Sequence, residues 1–297
     1  MNPPAITAIL VNYNTGRELR LALQSIADEL ADREWEAVVV DNASSDGSSA
    51  IAAEFAPRVR FVRNERNVGF AAGVNQGVAA STAPLVLIMN PDCRLVSGAI
   101  PALEGELDRH EGCAVIGPRI LNPDGSVQGS ARGDPDMFTG LFGRRMLLSR
   151  VLPDLSISRR NVVTTDAIRT GAPSVIVDWV SGACMLVSRK ALEKVGGFDE
   201  RYFLYWEDAD LCRRLRGAGY HVRYAPCATA VHRVGQSSRT ARVMAIRAFH
   251  ESAFLYYTTH VAPRPLQPAR ILARFLLAAH CWLSLRQADD RRAAELS

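Results

Sequence analysis

In the first half of the chain, short apolar runs alternate with segments of helical spacing, and this alternation constrains the fold more than any other feature. Each run has the length and continuous hydrophobicity of a strand buried on both faces, as in parallel sheets. The alternation predicts an α/β fold with a Rossmann-like, mostly parallel sheet and helices on both faces. The predicted strands are Ile6–Val11, Ala37–Val40, Val59–Val62, Leu85–Met89 and Ala114–Ile116, and the predicted helices are 19–30, Ser48–Phe55, Gly69–Ala80 and Ser97–His110.

Polar residues directly follow three of these strands. Asn12 and Asn14 come after the first strand. Asp41–Asn42 and Asn90–Asp92 come after the second and the fourth. Right-handed crossovers place the carboxyl ends of parallel strands at one edge of the sheet, where ligands of open α/β sheets bind. We therefore expect these side chains to meet in one crevice, although a plain turn or a helix cap would explain each cluster taken singly.

The composition excludes several classes of protein. Of the 297 residues, 48% are hydrophobic and 22% are charged, so the chain is not disordered, collagenous or a coiled coil. The net charge of +4 is too small to indicate a nucleic-acid partner. Lys190 and Lys194 are the only lysines, which leaves 33 arginines among the 35 basic residues. Arginine suits phosphate ligands, but a GC-rich genome would produce the same bias.

The cysteines and the N-terminus indicate the compartment. The six cysteines form no C-x-x-C pair and are expected to be buried and reduced. No basic segment precedes the first apolar run, so no secretory signal is expected. No apolar run approaches the ~20 residues that span a bilayer. Together these features predict a cytoplasmic protein.

The second half of the chain is less regular. Periodicity is lost over Gly129–Asp178, and such a stretch inside a compact domain is usually functional or disordered. Order returns at Val175–Val187, and a helix over Glu207–Arg216 precedes a strand at His221–Tyr224. We predict one α/β domain over residues 1–238 and a helical extension over residues 239–297.

The predicted extension contains an amphipathic helix. Its apolar positions share one helical face, and arginines flank or interrupt that face. A basic amphipathic helix can lie in a membrane interface, which would make the protein peripheral to the inner face of the cell membrane. The alternative is packing on its own domain or on another subunit, as in a homodimer. The apolar positions are Ile271, Leu272, Phe275, Leu276, Ala279, Trp282 and Leu283, and the arginines are Arg264, Arg270, Arg274 and Arg286.

Asp92 and His232 are candidates for binding a metal ion. A hard divalent cation prefers oxygen ligands, usually one or two carboxylates plus substrate phosphates. Asp92 lies just past a buried strand, and Pro91 would stiffen its turn. Imidazole is a common metal ligand, although a single histidine is more often structural.

Three carboxylates, Glu207, Asp208 and Asp210, crowd the start of a predicted helix beside Trp206. The positive end of the helix dipole favours acidic residues there, and capping accounts for one of them. Crowding beside aromatic rings predicts perturbed pKa values, which suit a general base.

The small-residue segment Asn64–Gly77 contains neither of the glycine-rich phosphate-binding motifs. It is not G-x-G-x-x-G with an acidic residue about 20 positions later, and it is not G-x-x-x-x-G-K-[ST]. The sequence therefore argues against a dinucleotide-dependent dehydrogenase and a P-loop NTPase. The small residues would permit close approach of a ligand or close packing of a helix.

Taken in order, these motifs resemble those of the family 2 inverting glycosyltransferases, in their rhamnosyltransferase-like bacterial branch. The resemblance covers about Ala5–Ser238 and implies the GT-A fold. The matching segments of the first half are VNYN (Val11–Asn14), VVVDNASSDGS (Val38–Ser48), NVGFAAGVNQG (Asn67–Gly77) and LIMNPDC (Leu87–Cys93). Those of the second half are WVSGACMLVSRKAL (Trp179–Leu192), VGGFDERYFLYWEDADLCRRLRGAGY (Val195–Tyr220) and VHRVGQS (Val231–Ser237).

The resemblance implies a nucleotide-diphosphate-sugar donor and a divalent cation, Mg²⁺ or Mn²⁺. Asp92 corresponds to the last carboxylate of the family's D-x-D metal motif, and because Asn90 stands at its first position one charge is missing. His232 resembles the histidine that completes metal or pyrophosphate coordination in relatives. The implied donor pocket consists of Asn12, Asn14, Asp41, Asn42, Asn67, Gly69, Asn75 and Asn90, with Trp179, Gly182 and Trp206 shaping the sugar site.

Inversion at the anomeric carbon implies a single in-line displacement. A carboxylate would deprotonate the acceptor hydroxyl, while the cation with His232 or an arginine stabilises the departing diphosphate. The family motif implies that Asp208 is the base, with Glu207 and Asp210 as reserves.

The predicted reaction transfers a sugar, with rhamnose favoured, to a hydroxyl of a saccharide or polyprenyl-linked saccharide in cell-envelope glycan synthesis. A UDP-hexose or UDP-galactofuranose donor would use the same pocket. Two other classes stay open. A nucleotide-sugar-forming nucleotidyltransferase would normally show a Gly-rich phosphate loop, which VNYNTGRELR lacks. A non-catalytic nucleotide-sugar-binding scaffold is the other.

Overall fold

The computed structural model describes residues 4–134, 168, 171–233, 242–265 and 267–296. It contains eleven strands and eight α-helices in this part of the chain. The strands are β1 (Ile6–Asn12), β2 (Trp35–Asp41), β3 (Val59–Arg63), β4 (Leu85–Met89), β5 (Cys93–Leu95), β6 (Cys113–Leu121), β7 (Ala131–Arg132), β8 (Val175–Ile176), β9 (Trp179–Val180), β10 (Cys184–Ser188) and β11 (His221–His232). The helices are α1 (Arg17–Glu29), α2 (Ser48–Ala53), α3 (Phe70–Ala79), α4 (Ala99–Arg109), α5 (Arg189–Lys194), α6 (Glu207–Gly217), α7 (Arg242–Tyr256) and α8 (Pro268–Leu296), with a π-helical turn at Tyr257–Val261.

The main sheet has the strand order β3-β2-β1-β4-β10-β6-β11-β5, and β8 pairs with β11. The first four strands of this order are parallel, as predicted. β10 differs, since it lies antiparallel between β4 and β6. Asn12 pairs with Asp41 in the register of β1 and β2. The polar ends of these strands therefore lie at one level of the sheet edge.

Both faces of the sheet are covered by helices, which explains the continuous apolar runs. Ala8 and Leu10 of β1 pack into a core with α1, α2 and α4. Ile9 and Val11 point to the opposite face and pack with α3, α5 and α6. Because successive strand residues alternate between faces, a strand buried on both sides must be apolar throughout.

The helical extension packs on α6 and on the loop before it. His260 accepts a hydrogen bond at its carbonyl from Arg213 Nη2 at 3.2 Å, and Ser252 Oγ donates to Leu204 O at 3.0 Å. The predicted boundary between residues 238 and 239 and most of the irregular stretch Gly129–Asp178 fall outside the described residues. Across the helices that the structure describes, none has an apolar stretch that would traverse a bilayer.

The six cysteines are all unpaired by disulfides, as predicted. The expectation of burial is confirmed for four of them and is wrong for two. Cys227 is exposed because it lies where the pairing of β11 with β6 is interrupted between Ala225 and Thr229, and Cys281 is half-buried on the outer helix α8.

Candidate active site

The ends of β1 and β2 hold a hydrogen-bonded pair of side chains. Asn12 Nδ2 donates to Asp41 Oδ1 at 2.7 Å and to Ser44 Oγ at 3.0 Å. The second carboxylate oxygen of Asp41 accepts from Ser44 N at 2.9 Å. Asn14 closes the same loop, since its Oδ1 accepts from Ser45 N at 2.8 Å. Because these groups are already bonded to one another, the pocket wall is ordered before any ligand arrives.

The loop before α3 completes this wall and ties it to the second half of the chain. Asn42 Nδ2 donates to Gly69 O at 3.1 Å, and Asn67 Oδ1 accepts from Gly69 N at 2.9 Å. Gly69 has a φ of 91°, and a Cβ there would lie 2.5 Å from Phe203 O. Phe70 N donates to that same carbonyl at 2.7 Å. Only glycine permits this approach, which brings the loop before α6 to the sheet edge.

The side-chain amide of Asn75 is hydrogen-bonded to the loop that follows α5. Its Nδ2 donates to Phe198 O and to Glu200 Oε1, each at 2.9 Å, and its Oδ1 accepts from Phe198 N at 2.9 Å. The amide therefore fastens α3 to the loop that follows α5. Both ends of the side chain are thus bonded within the protein, and the nucleotide contact of Asn75 stays a prediction.

Asp92 and His232 lie in direct contact, although 140 positions separate them in the sequence. His232 is the last residue of β11 and pairs with Cys93 of β5, which begins just after Asp92. His232 Nε2 lies 3.1 Å from Asp92 Oδ1 and 3.4 Å from Asn90 Nδ2. Both Asp92 and His232 are buried. The structure thus brings the predicted metal-binding pair to one point.

Gln128 orients the imidazole of His232 and was missed in the sequence. Its Nε2 donates to His232 O at 2.7 Å, which fixes the amide so that its Oε1 faces His232 Nδ1 at 3.2 Å. Because an amide oxygen can only accept a hydrogen bond, Gln128 favours a proton on Nδ1. In the neutral imidazole this leaves the lone pair of Nε2, on the side of Asp92, for a metal ion that both residues could bind. Gln128 lies in an irregular loop where no motif marks it.

Two arginines flank the Asp92–His232 pair and were also missed. Arg94 Nη2 and Arg233 Nη1 lie 3.0 Å and 3.4 Å from the two carboxylate oxygens of Glu18. Arg233 N donates to Asp92 O at 3.0 Å. Glu18 is buried at the start of α1 and holds both guanidinium groups beside the site. Among 33 arginines, the sequence alone offers nothing that distinguishes these two.

Asp208 reaches the same region from α6. Gly182 N donates to Asp208 Oδ2 at 2.9 Å, and Ala209 N donates to Asp208 Oδ1 at 2.8 Å. The residue after Gly182, Ala183, accepts from Asn90 N at 2.9 Å. One short turn between β9 and β10 therefore contacts both Asp208 and the Asn90–Asp92 turn. The convergence expected from the strand ends extends to α6.

Glu207 is buried beside Asp208, with 5% of its surface exposed. Its Oε2 has no hydrogen-bond partner among the described residues. Burial and, secondarily, the charge of Asp208 raise the pKa of Glu207 well above its ordinary value. The predicted pKa perturbation in this cluster is therefore found at Glu207, whose neutral form the site favours.

Asp210 lies on the opposite side of the cluster and has other partners. Its Oδ2 accepts from Arg214 Nε at 2.7 Å, and its Oδ1 lies 2.6 Å from His260 Nε2. Arg214 also donates to the carbonyls of Val195 and Gly197. Both oxygens of Asp210 therefore anchor structure, and its role as a reserve base stays a prediction.

Aromatic residues surround the start of α6. Tyr205 and Trp206 have φ values of 69° and 70°, in the left-handed region that residues other than glycine seldom adopt. Trp206 packs on Phe249 and Tyr256 of α7, with ring centroids 5.9 Å and 5.3 Å apart. Trp179 donates from Nε1 to the carbonyl of residue 133 at 3.1 Å. These contacts fix the orientation of the two indoles predicted to shape the sugar site.

Comparison with known proteins identifies the family. The profile of glycosyl transferase family 2 matches residues 7–196, and that of glycosyl transferase family group 2 matches residues 151–255. An N-acetylglucosaminyl-diphospho-decaprenol L-rhamnosyltransferase of Mycobacterium tuberculosis, found in two strains, is 32% identical over 299 residues. That alignment covers 96% of this chain and 94% of the relative.

Solved structures share the fold and confirm the predicted α/β GT-A class. A mannosyltransferase from Pyrobaculum calidifontis, PcManGT, solved with GDP-Man and Mn²⁺, superposes with a TM-score of 0.58 at 17% identity, over 99% of this chain and 75% of its own. GalNAc-T7, solved with UDP, GalNAc and Mn²⁺, gives a TM-score of 0.57 at 14% identity over 88% of this chain. The match spans 57% of the GalNAc-T7 chain. With a family profile over most of its length and a relative aligned almost end to end, the chain belongs to glycosyl transferase family 2 and is a glycosyltransferase.

Proposed function

We propose that this enzyme transfers L-rhamnose from a nucleotide-diphosphate donor, dTDP-rhamnose, to a hydroxyl of a polyprenyl-linked saccharide in cell-envelope synthesis. The observation that carries the proposal is the turn at Gly182, which contacts both Asp208 and the turn that bears Asp92. The proposed base and the proposed metal-binding pair would thereby lie on two sides of one donor site. The almost full-length similarity to the mycobacterial rhamnosyltransferase supports the choice of sugar and acceptor.

The donor nucleotide is proposed to bind against the wall formed by the ends of β1 and β2. Asp41, held by Asn12 and Ser44, would accept a hydrogen bond from the base, and Asn12 would line the pocket behind it. The remaining wall residues would contact the ribose and the pyrophosphate. They are Asn14, Asn42, Asn67, Gly69 and Asn90.

The residues around His232 fit a divalent cation, Mg²⁺ or Mn²⁺. Two ligands 2.0–2.1 Å from one octahedral ion lie about 3.0 Å apart, and Asp92 Oδ1 and His232 Nε2 are 3.1 Å apart. No group of three or more His, Cys, Asp or Glu side chains suited to a metal occurs among the described residues, so the donor diphosphate would complete the coordination. When bound, such an ion supplies positive charge to the diphosphate.

Asp208 is proposed to take the proton from the acceptor hydroxyl. The N–H of Gly182 holds one oxygen of Asp208 at 2.9 Å, which orients the carboxylate toward the sugar site. Neighbouring Glu207, kept neutral by burial, adds no second negative charge there. Arg94 and Arg233, positioned by Glu18, would stabilise the charge that develops on the departing diphosphate. Trp179 and Trp206 would bound the sugar and exclude water.

A donor panel tests this function. The purified protein with Mn²⁺ is mixed with dTDP-rhamnose, UDP-hexoses or UDP-galactofuranose and a short-chain prenyl diphospho-N-acetylglucosamine. We expect transfer from dTDP-rhamnose and release of dTDP. Transfer only from a UDP-sugar would replace the proposed donor. If no donor reacts although a nucleotide raises the melting temperature, the result favours the non-catalytic nucleotide-sugar-binding scaffold, since a ligand of the native state stabilises it by mass action.

A further inference from the structure

One face of α8 is apolar and exposed to solvent. At 3.6 residues per turn its members cover a continuous arc of about 140°. Their exposed fractions range from 37% to 71%, far from the burial expected for large side chains with a packing partner. We call this the apolar face, and its residues are Ile271, Leu272, Phe275, Leu276, Trp282 and Leu283.

The opposite face of α8 fixes the direction in which the apolar face points. Ala273 and Leu277 are buried in a small core with α7 and the π-helical turn. His280 Nδ1 lies 2.8 Å from His250 Nε2 of α7. Because this inner face is fully used, the apolar face has no place to pack within the described part of the chain.

The charges around the apolar face are mostly positive, and the nearest acidic residues of α8, Asp289 and Asp290, come after its last apolar residue, Leu283. Between Val261 and Ala288 the chain has four arginines and no aspartate or glutamate. Arg286 stacks over Trp282, with Cζ 3.9 Å from the ring centroid. Arg274 lies over Phe254 of α7 at 5.3 Å. Arginine and tryptophan side chains of this kind lie at the boundary between lipid tails and headgroups.

We infer that the apolar face of α8 binds the surface of an anionic membrane. The apolar side chains would enter the acyl boundary, and the arginines would contact lipid phosphates. A second copy of the chain is the competing occupant. Pairing two such faces would bring together two helices that each carry five arginines and three acidic residues between Pro268 and Leu296, and this excess of positive charge opposes association.

This placement deepens the proposed function, on which the following step rests. α8 packs on α7, and α7 packs on Trp206, the residue immediately before Glu207 and Asp208. Packed helices lie 8–10 Å apart, so lipid contact through α8 would hold the proposed base within a few helix diameters of the membrane surface. A polyprenyl-linked acceptor carries its saccharide at that level.

Vesicle co-sedimentation tests the inference with the full chain. The probes are vesicles of phosphatidylglycerol with phosphatidylethanolamine, and vesicles of phosphatidylcholine alone. We expect binding to the anionic vesicles, and a loss of at least about 50-fold in affinity when Leu272→Ser, Phe275→Ser and Leu283→Ser are combined. The matched control combines Ile176→Ser and Val96→Ser, two exposed apolar residues outside α8, and should bind as the wild type does.

The arginines provide a second, independent variant. Arg274→Gln with Arg286→Gln should lower the affinity for anionic vesicles about 25-fold, since each charge near such a surface contributes about fivefold. Neither variant should alter circular dichroism or transfer to a water-soluble acceptor. Equal binding of the wild type and the triple serine variant would overturn the inference. So would a wild-type dimer that the triple variant converts to monomers without any vesicle binding. If the protein transfers sugar to the soluble acceptor and does not bind vesicles, the membrane inference fails and the proposed function stands. If it binds vesicles and transfers no sugar, the proposed function fails and the membrane inference stands.

Discussion

Two aspartate–histidine pairs in this enzyme have the same chemistry and different surroundings. Asp92 Oδ1 lies 3.1 Å from Nε2 of His232, and Asp210 Oδ1 lies 2.6 Å from Nε2 of His260. The first pair lies at the sheet edge, where a turn after β4 meets the end of β11. The second joins α6 to the π-helical turn after α7.

The two pairs differ in what the second oxygen of each carboxylate contacts. Asp210 uses it to accept from Arg214, which in turn binds two loop carbonyls. For Asp92, His232 is the one side chain that bonds the carboxylate within the described residues. A pair whose groups are all saturated stabilises the fold, whereas a pair with unused coordination at a ligand-binding edge is available for chemistry. Residue type alone does not tell them apart.

The largest effect is expected at Asp208, which lies two residues from Asp210 and faces the site. Asp208→Asn should reduce the turnover number by about 10²- to 10⁴-fold, because it removes the proposed general base. The asparagine can still accept from Gly182 N, so circular dichroism and melting temperature should stay unchanged. Turnover within tenfold of the wild type would remove Asp208 from that role.

Asp210→Asn should show the opposite pattern. It breaks a buried charge pair with Arg214 and disturbs the contact with His260, and we expect the free energy of unfolding to fall by about 3 kcal/mol. Urea denaturation followed by tryptophan fluorescence measures this loss. Transfer per folded molecule should stay within tenfold of the wild type, and a loss as large as that of Asp208→Asn would mean that Asp210 acts in the reaction.

Asp92→Asn tests the first pair in the same way. Replacing this proposed metal ligand should raise the Mn²⁺ concentration for half-maximal transfer at least about tenfold, because one carboxylate is lost where Asn90 already lacks a charge. The free energy of unfolding should change by less than about 1 kcal/mol. An unchanged dependence on Mn²⁺, or a loss of stability as large as that of Asp210→Asn, would show that Asp92 stabilises the fold and does not bind the metal.

Glu207 gives the smallest and most pH-dependent effect. Its pKa is raised in the folded protein, so the folded state holds a proton that the unfolded chain releases near pH 4.3. The associated stability is complete below that pH and is lost as the pH rises through the folded pKa. Glu207→Gln removes the titrating group and with it this loss. The free energy of unfolding of the variant minus that of the wild type should therefore increase by at least about 1 kcal/mol between pH 4 and pH 8. A difference that does not vary with pH would show that Glu207 is charged when folded.

The sequence predicts the parallel part of the sheet well, because strands buried on both faces must be continuously apolar. The first four strands and α3 lie within one or two residues of their predicted bounds. The direction of β10 was not predictable, since an apolar run carries no information about which neighbour it pairs with. The strand ending at His232 was predicted to stop near Tyr224, because Pro226 and the small residues around it hide its continuation.

Site residues that lie within sequence motifs could be predicted. Residues that contribute only through contacts with distant parts of the chain could not. Asp92, His232 and Asp208 lie in recognisable segments, and the structure brings all three to one region. Gln128 and Glu18 act through contacts made across 104 and 76 positions, which no local pattern records. The contacts of Asp210 with His260 and of Asn75 with Phe198 could not be predicted for the same reason, because these partners are distant in the sequence.

A crystal structure of the protein with Mn²⁺ and dTDP tests the central claim most directly. At the manganese absorption edge, anomalous scattering should show a peak bonded to Asp92 Oδ1 and His232 Nε2, with the diphosphate completing the coordination and the thymine beside Asp41. Asp208 should face the β-phosphate across the hollow that the donor sugar would occupy. Nucleotide and metal bound away from the carboxyl edge of β1, β2 and β4 would contradict the account.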